Sequence, residues 1–157
     1  MSDESQNLIA ELKDQERRLV FDHFDEADAW ALGCLLVNLA TERSLPVAID
    51  IRRGEQQLFH AGLPGSTADN DVWIQRKVRV VYRFAASSYL VGRELAANGR
   101  ELDAAMGVDP MRYAAHGGAF PVRVAGAGVI GVVTVSGLPQ ADDHALVLEA
   151  LETFLDR

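Results

Sequence analysis

The order of strand-like and helix-like segments predicts an α+β fold, a central antiparallel sheet of about five strands flanked by helices. Three observations carry this reading. Two pairs of strand-like segments are each joined by a short glycine-containing turn, Arg53-Gly54-Glu55 and Ala125-Gly126-Ala127-Gly128, where positive φ angles close a hairpin. Helix-like segments separate the pairs. No βαβ unit repeats, which argues against a doubly wound sheet. At 157 residues the chain is long enough for one domain with a substantial core, and residues 1–157 are expected to form one.

Taken in order, Asn7 to Arg18 reads as a polar helix with Leu8, Ile9 and Leu12 on one side. Leu19 to Phe24 is short and rich in β-formers and is read as a strand, so that residues 1–24 form an N-terminal helix and strand extension. Asp25 suits a helix N-cap, with Glu26 and Asp28 in the first turn of a helix that runs to Arg43. Pro46 closes its exit. Val47, Ile49 and Ile51 alternate with Ala48, Asp50 and Arg52, the signature of a half-buried strand, and Gln56 to Ala61 returns beside it. Gly62, Pro64 and Gly65 make a loop before a long helix from Ala68 to Ala85. A second helix spans Tyr89 to Asn98 and is ended by Gly99, and Leu102 to Tyr113 reads as a helical turn and loop. Phe120, Val122 and Val124 mark another strand. Val129 to Ser136 is the most apolar strand and is expected at the centre of the sheet. Helix resumes at Pro139, a residue suited to a first helical position, and runs to the C-terminus.

Composition narrows the function classes. Hydrophobic content of 48% and charged content of 24% fit a soluble globular protein. The start, Met-Ser-Asp-Glu-Ser, is polar and acidic, unlike a secretory leader, so a cytoplasmic location is expected. The single cysteine, Cys34, excludes a disulfide framework and a multi-cysteine zinc site, and no metal is called for. A net charge of −8 disfavours nucleic acid or an anionic membrane as partner. Arg76, Lys77, Arg79 and Arg83 form a local exception, read as a solvated or subunit-pairing helix face.

Helical periodicity then picks out polar groups on apolar faces. On the Ala68–Ala85 segment Trp73, Ile74, Val78, Val80, Val81 and Phe84 share one arc, and Lys77 falls near its middle, away from the other cations. A buried ammonium is expensive unless it is paired or its head reaches water, so Lys77 is either a structural, paired lysine or a ligand-site lysine. On the last helix His144 projects among Val147, Leu148, Leu151 and Phe154, Asp142 faces solvent, and Asp143 lies at the boundary. An inward Asp143 could serve His144 or Lys77; alternatively, both carboxylates simply satisfy the helix N-terminus. Gly117 and Gly118 offer a bulge, a close approach or a backbone anion nest. Ser136 adds a hydroxyl beside a helix N-terminus, and His116 precedes the two glycines.

Phe120-Pro121, the run Gly131-Val-Val-Thr-Val-Ser-Gly-Leu-Pro-Gln140 and the pair Asp142-Asp143 together resemble the GlcG/HbpS-like superfamily, often labelled haem-degrading domain. Val47-Ala-Ile-Asp-Ile51, Leu58-Phe-His60, Asn70-Asp-Val-Trp-Ile-Gln-Arg-Lys77 and Ser87-Ser-Tyr89 extend the likeness. Asp25-Glu-Ala-Asp-Ala-Trp-Ala-Leu-Gly33, with the extra N-terminal helix and strand, is similar to a branch of that superfamily with no agreed activity. The resemblance implies a profilin-like α/β/α sandwich and assembly into homodimers or larger rings. It also implies that Lys77 and the Ser136-Gly137 turn recur in the family pattern, and that haem is a candidate cofactor. No cysteine-proline haem signature is present, so an axial histidine would be His116, His144 or His60.

Three functions stay open on this reading. In the first, Lys77, His116, Gly117, Gly118, Ser136, Asp143 and His144 line a pocket that binds or senses a small anionic ligand, haem among the candidates. In the second, the protein is an oligomeric assembly factor whose polar cluster is structural. In the third, it is an enzyme in which Asp143 orients His144 as a base and Lys77 serves as electrophile.

Overall fold

The computed structural model describes residues 2–156. Four strands form one antiparallel sheet: β1 (Ala48–Arg53), β2 (Gln56–Gly62), β3 (Ala119–Val124) and β4 (Gly128–Ser136), in the spatial order β2-β1-β4-β3. The helices are α1 (Asp3–Arg18), α2 (Glu26–Glu42), α3 (Ala68–Phe84), α4 (Ser88–Ala97) and α5 (Gln140–Leu155), with a 3-10 turn at Ala104–Met106. This is the α+β sandwich that the sequence predicts, with β1 and β4 at its centre.

Alternation along the strands builds the two layers. Ile49 faces Val135 and Ile51 faces Val133 across β1 and β4, while Phe120 pairs with Val133 from the other side. These side chains join Leu32, Leu36, Val147 and Leu151 of α2 and α5 in the main core. The opposite face carries smaller residues, Ala48, Ala119 and Val132, against Ile74, Val78 and Val81 of α3. Because α3 covers that face, Asp50 is fully buried. It accepts from Arg52 Nε at 2.8 Å and from Gln57 Nε2 at 2.6 Å, which satisfies the carboxylate locally. The half-buried strand of the sequence reading therefore has polar residues on a covered side.

One expected strand is absent. Leu19, Phe21 and Phe24 are buried as a strand would bury them, yet the segment pairs with the sheet only through a single parallel bridge between Phe21 and Val124. Phe21 N–H donates to the Arg123 carbonyl and Ala125 N–H donates to the Phe21 carbonyl. Beyond Val124 the chain turns into the Ala125–Gly128 hairpin, so no neighbour remains for a ladder. The sheet has four strands rather than five.

Capping sets the helix ends. α1 begins four residues earlier than the apolar pattern suggests, because Ser2 accepts from Ser5 N–H at 3.1 Å and Asp3 and Glu4 sit in the first turn. Asp25 and Asp28 form a reciprocal capping box on α2. The N-terminal helix is tied down by polar side chains. Glu16 accepts from Ser87 N–H at 2.6 Å and from Arg123 at 2.9 Å, and Arg123 also reaches the Ala85 carbonyl at 2.8 Å. Arg76, Arg79 and Arg83 do not form a free charged face. Each donates to a carbonyl of the segment after α4, those of Pro110, Arg112 and Met106 respectively, at 2.9 to 3.1 Å. No helix among the described residues is long and apolar enough to cross a membrane.

The approach of α2 to β2 depends on Gly33, where an added Cβ would stand 2.4 Å from the Phe59 ring. Gly33→Ala is expected to lower unfolding free energy by about 1–2 kcal/mol, overpacking outweighing a helix-propensity gain of about 1 kcal/mol. Urea denaturation in a Phe59→Leu background is expected to erase that loss, since the smaller side chain vacates the contact.

Candidate functional site

Lys77 projects from the middle of α3 toward the end of the sheet, as periodicity predicts, and is 3% exposed. Its Nζ donates to Asp143 Oδ2 and to the Val135 carbonyl, each at 3.2 Å. Asp143, in the first turn of α5, is 2% exposed. It also accepts from Gly137 N–H at 3.3 Å and Leu138 N–H at 2.9 Å, so one carboxylate fixes both the lysine and the turn entering its own helix. The pair joins helices on opposite faces of the sheet. Burial pushes the Lys77 amine below its ordinary value and the Asp143 carboxyl above its own, in each case against their mutual attraction.

Gly118 makes this crossing possible. Its φ is +134°, and a Cβ there would lie 2.7 Å from Lys77 Nζ and 2.3 Å from the Val135 carbonyl. Gly117 is equally crowded, 2.2 Å from the Gln140 carbonyl, and its N–H already donates to Gln140 Oε1 at 3.0 Å. The two glycines act by lacking side chains. The backbone anion nest expected from them does not form around Gly117, whose donor is taken.

Lys77 lines a recess of about 280 Å³ together with Asp69, Asn70, Trp73, His116, Ser136, Gly137, Leu138, Gln140 and Asp143. Two of the three ammonium protons have partners within the fold, which leaves one donor for a group in the recess. Ser136, at the end of β4, is 4% exposed. His116 closes one wall at the surface, its ring edge-to-face with Trp73 at 5.4 Å. Desolvation and the charges of Lys77, Arg76 and Arg93 hold His116 below its ordinary pKa, so it presents a neutral imidazole in a positive field.

His144 is buried as expected, but it does not belong to this recess. It turns toward α1, where Nε2 meets Gln15 Oε1 at 2.8 Å, and its ring packs against Tyr89 and Phe120. Gln15 offers only a carbonyl oxygen there, so Nε2 carries the proton and Nδ1 stays an acceptor without a partner. Desolvation lowers its pKa to about 4. Asp143 faces Lys77, so the Asp143–His144 dyad that an oriented base requires is not formed. Lys77, Asp143, Ser136 and His116 are brought together; His144 is not, and Gly117 and Gly118 shape the site from behind.

On the far side of His116 lies a wider recess of about 870 Å³, walled by Arg76, Gly92, Arg93, Tyr113, Ala115 and Gln140 among others. Gln140 and His116 are common to both. Sequence reasoning did not single out Arg93, Tyr113 or Gln140. The Tyr89–Asn98 periodicity places Arg93 on a helix without saying what faces it.

A family model for the haem degrading protein HbpS-like group matches residues 24–152. The chain belongs to the HbpS-like family. Among HbpS-like relatives it is 63% identical to a UPF0303 protein of Streptomyces avermitilis over 95% of this chain and 91% of that one. It is 48% identical to a UPF0303 protein of Rhizobium etli over 95% and 90% of the respective chains. The solved structure of the Ybr137w protein superposes with a TM-score of 0.87 at 34% identity, covering 94% of this chain and 88% of that one. More distant HbpS-like folds include HbpS itself, with a TM-score of 0.66 at 19% identity over 85% and 90% of the two chains. The PduOC–haem complex gives 0.68 at 15% identity over 82% and 93%. At those identities the likeness concerns the fold.

Two outcomes follow from the buried groups. Lys77→Met is expected to destabilise the protein by about 3 kcal/mol, because it leaves the Asp143 carboxylate buried without its cation. The double variant Lys77→Met/Asp143→Asn is expected to recover much of that loss in denaturant titrations, since asparagine can still accept from Leu138 N–H. For His144 the folded pKa lies below the unfolded one, so its neutral form supports the fold above pH 6.5 and that support is lost as pH falls toward 4. The expected loss is roughly 3 kcal/mol in total by linkage, and His144→Gln should flatten stability against pH over this window.

Proposed function

We propose that this protein is a small-ligand-binding or sensing module whose ligand sits in the recess at Lys77. The observation that carries the reading is the buried ammonium with one donor unused, held at the floor of an accessible recess beside the Ser136 hydroxyl. A carboxylate or carbonyl oxygen of the ligand would accept from Lys77 and Ser136, and the Gln140 amide nitrogen stands ready as a further donor. Asp143 keeps the lysine in place and leaves little net charge of its own.

Haem, implied by the family, does not fit this recess. At about 280 Å³ the space falls below the usual range for drug-sized ligands, and haem is a broad, flat macrocycle. His116 is the one histidine on the recess wall. His144 is turned to Gln15, and His60 lies at the β2 edge with its Nε2 2.7 Å from Asp71. The ligand of this recess is therefore a small carboxylate or carbonyl metabolite. Self-association, implied by the family, belongs to the same reading.

Native mass spectrometry of protein purified from its own host reports subunit count and retained ligand together. A retained mass well below that of haem is expected, absent from Ser136→Val, where the added methyls fill the recess. Haem retained equally by both proteins would remove the small-ligand reading. A thermal-shift panel of small organic acids is expected to raise Tm in the wild type and not in Ser136→Val. Equal shifts in both would count against the recess.

A further inference from the structure

Among the described residues, Arg93 and Arg76 are arginines whose buried Nε atoms the fold leaves without an acceptor. Arg93 forms no salt bridge among the described residues; its guanidinium lies over the Tyr89 ring at 5.7 Å. Arg76 donates one Nη2 hydrogen to the Pro110 carbonyl and stacks over Trp73 at 4.4 Å, again with no carboxylate partner. The Nε atoms of both are buried without a hydrogen-bond partner. Native proteins rarely leave such donors unmatched, because each desolvated group carries an unfavourable free energy until something accepts from it.

Both side chains line the same recess of about 870 Å³, and Arg100 stands at its rim. The lining holds three arginines against Glu101 and Asp103, a local positive excess in a chain of net charge −8. The neighbouring imidazole registers this field, since Arg76 and Arg93 both help to hold His116 in its neutral form. The same lining includes the apolar and aromatic side chains of Leu95, Leu102 and Tyr113. Gly92 and Ala115, both in the lining, approach closely: a Cβ at Gly92 would stand 2.0 Å from the Ala115 carbonyl.

We infer that this recess is a second binding site, distinct from the one at Lys77, for an organic anion whose phosphate or carboxylate is gripped by Arg93 and Arg76 while its apolar body lies against Leu95, Leu102 and Tyr113. A guanidinium presents a planar fork matched to either oxyanion. Two guanidinium groups in one lining, neither paired with a carboxylate, place positive charge and terminal donors beside the same space. The site does not depend on the ligand assignment at Lys77, although His116 and Gln140 border both.

The test is a titration with phenyl phosphate at low ionic strength, followed by calorimetry, with benzoate and inorganic phosphate as parallel probes. Saturable binding of phenyl phosphate is expected, tighter than inorganic phosphate because of the apolar wall. Comparison with benzoate tells whether phosphate or carboxylate is preferred. Arg93→Gln, which breaks no contact beyond the Tyr89 ring, is expected to weaken binding at least about tenfold, or about 1.4 kcal/mol. Arg17→Gln on exposed α1 removes the same charge at a distance and is expected to change nothing, as is Ser136→Val in the other recess. Equal weakening by Arg93→Gln and Arg17→Gln would reduce the effect to net charge and overturn the site. Absence of saturable binding by any probe to the wild type would overturn it as well. A loss caused by Ser136→Val alone would assign the anion to the Lys77 recess instead.

Discussion

A buried ion pair at the end of the sheet joins the helices on the two faces of this sandwich. Lys77 comes from the helix on one face and Asp143 from the helix on the other, and they meet over Gly118 because that residue has no side chain. The pair is nearly dry, so its attraction must offset the desolvation of two charges. It does so only with help: the Val135 carbonyl takes a second ammonium proton, and the Gly137 and Leu138 amides donate to the carboxylate. Removing one partner would strand the other. The neighbouring features depend on this arrangement, including the φ of +134° at Gly118, the entry into α5 and the recess beside Ser136.

The same geometry is the ground for proposing a binding place. Asp143 accepts from Lys77 and from two amides and makes no hydrogen bond with His144. His144 is neutral, buried and bonded to the N-terminal helix. The Asp143–His144 dyad of the catalytic reading is separated by the fold. The recess is lined by the ammonium of Lys77, the hydroxyl of Ser136, Gln140 and the neutral imidazole of His116.

Much of this was legible in the sequence because it follows from periodicity. The 3.6-residue repeat places Lys77 among Ile74, Val78 and Val81, and burial follows. The period-2 pattern of Val47 to Ile51 and the Gly126–Gly128 turn give the two hairpins and the central position of β4. Other features are set by contacts between distant segments, which local pattern does not carry. Leu19, Phe21 and Phe24 are spaced like a strand, but whether a segment pairs depends on a free neighbouring edge, and β3 offers it one residue. Asp50 looks like the polar side of a half-exposed strand until α3 is laid over it. Arg76, Arg79 and Arg83 look like a solvated charge stripe until the loop after α4 supplies carbonyls for them. His144 and Asp143 are adjacent in sequence, yet 100° of helical rotation sends them to different partners.

The family match begins at residue 24, which leaves α1 outside it, but this largely exposed helix is anchored to the body of the fold through Leu12, Gln15 and Glu16. Gln15, 3% exposed, is the partner of His144, and Glu16 occupies Ser87 N–H and Arg123 at once. A shortened clone that starts at the recognised domain boundary would therefore open a polar wound in the wall behind the site. Anyone designing expression vectors for this protein should keep the first eighteen amino acids and place purification tags with that helix in mind.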